Sequence, residues 1–203
     1  VLVPLAIVAQ GHSLLRLGVD LETEDERFGM LRSVLTWVLV ASLVVSGLAA
    51  LAWPWLGERL DGIPLWPIGA AGLVVVTGQA MFQVSLAWLQ FNHRARTHTM
   101  LSVGRWLLML VAVLLFLPVL GWGAEGVLLA MAVSFTVGAV FAVRLVLEGR
   151  GLGVERPALV ASLIYGLPLL PHALSGVFFQ ATDQVLLAAY APDGLKTAGI
   201  YLL

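Results

Sequence analysis

The chain has 203 residues, 60% of them hydrophobic and 11% charged, with a formal net charge of −1. A soluble domain carries about 25% charged residues, so this composition describes a membrane-embedded chain, and its near-neutral balance offers no field to steer nucleic acid or an acidic substrate. It has 0 cysteines, which excludes disulfide frameworks, thiol nucleophiles and thiolate metal sites.

The first charge-free run covers residues 1–15 and has neither a basic lead nor a small-residue cleavage site. It therefore reads as a truncated helix near 1–17 and not as a signal peptide. "DLETEDER" (Asp20 to Arg27) follows and reads as a solvated turn. A membrane helix needs about 20 mainly apolar residues to cross a ~30 Å hydrocarbon core, and backbone groups cannot stay unpaired in lipid. The remaining apolar runs accordingly predict helices near 31–56, 66–90, 101–121, 125–147 and 158–190, with a last one opening at about 195. The expected fold is an all-α, polytopic transmembrane bundle, five complete spans flanked by two partial ones. Both ends fall inside apolar runs, so the chain reads as a fragment of a longer protein.

Arginine placement gives the orientation. Connections 16–32, 91–105 and 144–156 hold Arg16, Arg27, Arg32, Arg94, Arg96, Arg105, Arg144, Arg150 and Arg156, while the alternate connections hold only Arg59 and Lys196. Basic loops stay on the cytoplasmic side, so these three connections are expected there, in the cytoplasmic membrane. Trp37, Trp53, Trp55, Trp66, Trp88, Trp106 and Trp122 lie near proposed helix ends, as an interfacial aromatic belt requires.

The connections carry little chemistry. "GRGLGV" follows no strand, so it is no phosphate-cradling loop. His93 and His98 lack nearby carboxylates, so "HRARTH" reads as a basic face toward anionic headgroups and not as a metal site. Spacing assembles no nucleophile–base pair and no paired catalytic carboxylates. The reading assigns no catalytic residue, metal or cofactor.

Polar residues inside the spans are more informative. Taking His172 as zero on a helical wheel, Asp183 lies at about 20°, Gly176 at about 40° and Gln180 at about 80°. Asp183 is the sole charge between Arg156 and Asp193, and a carboxylate at the centre of a membrane helix costs roughly 2.5–3.5 kcal/mol. On the helix near 66–90, Gln79, Gln83 and Gln90 fall within about 40° of one another. Such glutamines either join helices by hydrogen bonds or face a partly wet interior. Asp183, His172, Gln180, Gln79, Gln83 and Gln90 are therefore candidates for a substrate or ion pathway.

"YGLPLLPHALSGVFFQATDQVLLAAYAPDGLKTAGIY" resembles the seventh helix and the start of the eighth in the polysaccharide and O-antigen flippases of the multidrug/oligosaccharidyl-lipid/polysaccharide exporter superfamily. Gly166, Pro168, Pro171, Asp183, Gly199, Ile200 and Tyr201 match that pattern, whereas Gln184 stands where the family usually has Arg. "GHSLLRLGVDLETEDERFGMLRSVL" is similar to the family's second-helix exit, with Arg16 matching its arginine. "FNHRARTHTMLSVGRWLLMLVAVLLFLPVLGWGAEGVLLAMAVS" is similar to the stretch from the fourth-to-fifth connection into the sixth helix.

The resemblance implies a piece of a two-lobe exporter, with 1–157 forming most of the amino-terminal lobe and 158–203 opening the carboxy-terminal one. It further implies that a lipid-linked oligosaccharide is flipped by alternating access. Arg16 would join the pathway, membrane lipids would hold the carrier's tail, and a proton or sodium ion would be the coupling ion. A multidrug or cation antiporter of the same superfamily is the nearest rival. A structural membrane protein without a transport cycle is the reading from another class.

Overall fold

The computed structural model describes residues 10–55 and 65–190, the side chains of 124, 177, 180, 181, 183–185 and 187–190 excepted. Among these residues six α-helices follow in order: α1 (Gln10–Leu17), α2 (Glu24–Leu51), α3 (Ala70–Phe91), α4 (Ala95–Leu114), α5 (Ala124–Leu147) and α6 (Arg156–Tyr190). A π-turn, Leu65–Gly69, leads into α3, and another, Leu115–Val119, extends α4. No strand occurs among the described residues. Five stretches of the described residues are long and apolar enough to cross a membrane: Glu24–Leu51, Leu65–Phe91, Ala95–Val119, Glu125–Leu147 and Arg156–Gly176. The chain is a multi-pass, all-α membrane protein.

Two boundaries differ from the sequence expectation, for one physical reason: charge marks where a helix leaves the bilayer, not where it ends. Only the first half of "DLETEDER" is the expected solvated turn, and Glu24 to Arg27 already belong to α2. Thr23 Oγ1 accepts from the Glu26 amide at 3.3 Å, and Glu26 Oε2 accepts from the Thr23 amide at 3.2 Å. This capping box starts α2 at Glu24, and the acidic first turn suits the positive end of the helix dipole. Likewise α4 starts at Ala95 instead of 101. Arg105, counted above among the connection residues, therefore lies well inside a span, ~15 Å along α4 from its first residue. At the other end of the chain, α6 runs through Pro168 and Pro171.

Helix α3 is the centre of the bundle and packs on α1, α2, α4 and α5. The core joins Leu31, Val34, Leu35 and Val38 of α2 to Ala80, Val84 and Leu89 of α3 and to Ala142 and Val146 of α5. Gly78 lets α3 and α5 approach, since a Cβ there would stand 3.0 Å from the Phe135 carbonyl carbon. Small residues at such crossings are what membrane helices use in place of a hydrophobic driving force. The outer faces carry exposed Leu43 and Leu48 of α2, Leu107 and Leu114 of α4, and Ile164 and Leu167 of α6. Lipid is the solvent in which that surface is compatible.

The three arginine-bearing connections meet at one end of the bundle. Arg94 pairs with Glu148 at 3.0 Å, and Arg150 with Asp25 at 3.6 Å. Exposed pairs of this kind contribute only ~0.2–1 kcal/mol each. The firmer attachment is made by α2 side chains that satisfy the backbone ahead of α6. Ser33 Oγ accepts from the Glu155 amide at 2.8 Å, Thr36 Oγ1 accepts from the Gly153 amide at 3.1 Å, and Arg32 Nε donates to the Gly151 carbonyl at 2.7 Å. Helix α1 is tied to α6 by a buried polar joint, in which the Ser162 hydroxyl donates to Gln10 Oε1 and lies 3.3 Å from the Ser13 hydroxyl.

Candidate functional site

A pocket of about 380 Å³ opens between α3, α4 and α5. Gln79 and Gln83 enter it from α3, one turn apart on one face, together with Phe82 and Leu86. Ser102, Arg105, Trp106 and Met109 enter from α4 at the i, i+3, i+4, i+7 spacing of a single helix stripe. Met131 and Phe135 close it from α5. Every one of these residues belongs to a span.

Arg105 is the unusual member. It is only 8% exposed, although charged side chains in apolar spans are costly and snorkel outward where they can. Its guanidinium carbon sits 4.3 Å from the Phe135 ring centre, 4.4 Å from that of Trp106 and 5.7 Å from that of Phe82. Phe82 and Phe135 meet edge to face at 6.4 Å, which fixes two walls of this aromatic cradle. Gly138 makes room for the aliphatic stem: a Cβ there would lie 3.3 Å from Arg105 Cγ. Ring faces offset part of the burial cost, by ~0.5–2 kcal/mol per contact. They do not satisfy the N–H groups. Arg105 Nη1 is buried with no hydrogen-bond partner among the described residues.

A second cavity, about 550 Å³, runs between α2, α3 and α5 and is lined mainly by aliphatic side chains, with Ser46, Thr77, Thr136 and Arg144 as its polar members. It offers lipid-compatible surface and little chemistry. Among the described residues, no group of three His, Asp or Glu side chains gathers as a metal site.

Of the residues singled out from the sequence, Gln79 and Gln83 are brought together, and with partners that were not foreseen. Gln90 shares their helix face and is exposed, as Gln83 is, but lies ~10 Å further along α3 and does not line the pocket. Arg16 lies outside this pocket: it is exposed and pairs with Asp20 at 3.0 Å. His172 is exposed on α6, where its carbonyl accepts from the Ser175 hydroxyl at 2.7 Å. Asp183 and Gln180 lie on α6, and their side chains fall outside the described ones. Arg105 was missed because its charge placed it in a loop. The Ser102–Arg105–Met109 stripe beside Trp106 was the signal that could have found it.

Compared with family models, curated proteins and solved structures, the chain matches none.

Proposed function

We propose that this chain is part of a transporter that moves lipid-linked oligosaccharide across the cytoplasmic membrane by alternating access. The observation that carries this reading is the pair of glutamines, Gln79 and Gln83, lining a pocket within the membrane spans. An amide in hydrocarbon without a partner costs several kcal/mol on alkane scales, on the order of 4–8, so a site that exposes two of them is one that polar ligands visit. Amides recognise hydroxyl groups, and the aromatic walls of Phe82, Phe135 and Trp106 suit the apolar faces of sugar rings. The glycan would pass through polar interior surface while its lipid stays in the bilayer, with rocking of one repeat against another exposing the site to each side in turn.

The cation antiporter is disfavoured by the same pocket. Its charged lining residue is Arg105, and no carboxylate among the described residues lines it, so its field repels a cation. The resemblance supplies the rest of the reading, including Asp183 as the group that would couple a proton or sodium ion. A strain that depends on the full-length protein for its surface glycan tests this. Replacing Gln79 and Gln83 together by Leu is expected to cut surface glycan while leaving the amount of membrane-inserted protein unchanged. Normal glycan at normal expression would remove the pocket from the transport path.

A further inference from the structure

We infer that the groove of about 550 Å³ between α2, α3 and α5 is a binding site for an anionic phospholipid, with an acyl chain between the helices and the headgroup on Arg144. This lipid is a resident of the bilayer and not the transported molecule. The site therefore stands whether or not the pocket of Gln79 and Gln83 lies on a transport path.

Shape selects the acyl chain. Helices α2 and α5 pack on α3 from either side, and the groove is the gap left between them. Buried Gly78 and Ala139 form its floor, and exposed Leu43, Val74 and Val140 stand along its rim. From Thr136 to Arg144 it follows α5 for ~12 Å. That is close to the ~15 Å of hydrocarbon in one leaflet of a ~30 Å core. At the far end the Ser46 hydroxyl is spent on the Leu73 carbonyl, at 3.3 Å, which leaves that stretch to hydrocarbon.

Charge selects the headgroup. Among the described residues Arg144 is the one charged side chain lining the groove, and it stands in the last turn of α5, where the arginine-bearing connections meet. That place alone would suit any solvated arginine, since a cation favours a helix C-terminus. The pairing around it is what differs. Glu148, four residues on, is the natural helix partner, yet it pairs with Arg94 at 3.0 Å, and Asp25 pairs with Arg150 at 3.6 Å. Among the described residues no carboxylate lies within ion-pair distance of Arg144. An exposed guanidinium without a counter-charge, at the mouth of an apolar groove between spans, fits a phosphate diester above its tail. A net-negative headgroup is favoured over a zwitterionic one, whose ammonium would approach the same arginines.

Native mass spectrometry of the full-length protein reads this site, in micelles doped equally with dioleoyl phosphatidylglycerol and dioleoyl phosphatidylethanolamine. Wild type is expected to retain the glycerol lipid about fivefold more tightly, the worth of one basic side chain at a membrane surface. Arg144→Gln should remove that preference, whereas Arg96→Gln, at an exposed arginine outside this groove, should keep it. Val140→Trp, which fills the groove, should lower retention of the glycerol lipid severalfold. Benzoylphenylalanine in place of Leu43, photolysed in native membranes, should capture phospholipid. Equal wild-type retention of the two lipids overturns the proposal whether or not the variants fold. A preference that survives both Arg144→Gln and Val140→Trp overturns it as well. Capture of peptide at residue 43 would seat a protein segment or a second copy in the groove, and would also overturn it.

Discussion

Gly138 stands against Arg105: a Cβ at residue 138 would lie 3.3 Å from Arg105 Cγ and 3.4 Å from the Phe82 ring. The stem of the buried arginine thus occupies space that a Cβ at residue 138 would crowd, and the aromatic rings around it aim the guanidinium. Gly138→Val should drive the stem and the Phe82 ring apart. Overpacking of this kind costs about 1–3 kcal/mol, to be read as a lower unfolding temperature in detergent. An unchanged unfolding temperature would mean that the stem is free to move.

Gly78 and Gly72 lie on the same helix and should behave differently. A Cβ at Gly78 would meet the Phe135 backbone at 3.0 Å, whereas one at Gly72 would meet nothing within 4 Å. Gly78→Val is expected to destabilise the α3–α5 crossing by about 1–3 kcal/mol. Gly72→Ala should be neutral or slightly stabilising, because alanine is the better helix former by about 1 kcal/mol. Thermal unfolding of the two variants side by side checks the pair, and equal losses would contradict the packing described.

The spans were legible because each is a long apolar run, and the period of the helix alone placed Gln79 and Gln83 on one face. A wheel has no axial coordinate, however, so it could not separate Gln90 from the other two glutamines. The Thr23–Glu26 capping box was also written in the sequence, but the acidic run around it was taken for a turn. Arg105 was hidden for a deeper reason. Its burial depends on Phe82, Phe135 and Gly138, residues of two other helices, and no local pattern reports such an encounter. The same holds for the Gln10–Ser13–Ser162 joint, whose members come from the two ends of the described chain.

At the arginine-bearing end, the account ranks backbone caps above ion pairs. Removing the Ser33 hydroxyl, which accepts from the part-buried Glu155 amide, should cost about 1–3 kcal/mol in Ser33→Ala. Arg94→Ala breaks an exposed pair with Glu148 and should cost less than about 1 kcal/mol. The reverse order in thermal unfolding would show that the charges hold this end together.

Orientation can be read in a chain that has 0 cysteines. Single cysteines at 94 and 150 should share one side of the membrane, and a cysteine at 122 should label from the other. In intact cells an impermeant maleimide is expected to reach position 122 alone. Labelling at 94 and not at 122 would invert the arrangement.

Purified full-length protein in proteoliposomes, loaded with a fluorescent polyprenyl-linked oligosaccharide, brings the function down to one rate. An impermeant glycosidase added outside removes label only from glycan that has reached the outer leaflet. Wild type is expected to expose the inner-leaflet pool far faster than protein-free vesicles do. Replacing Gln79 and Gln83 by Leu should slow that exposure about tenfold or more, the loss of at least ~1.4 kcal/mol of interaction. Exposure at the protein-free rate by wild type would contradict the transport function, and an unaltered rate in the double variant would take the pocket out of it.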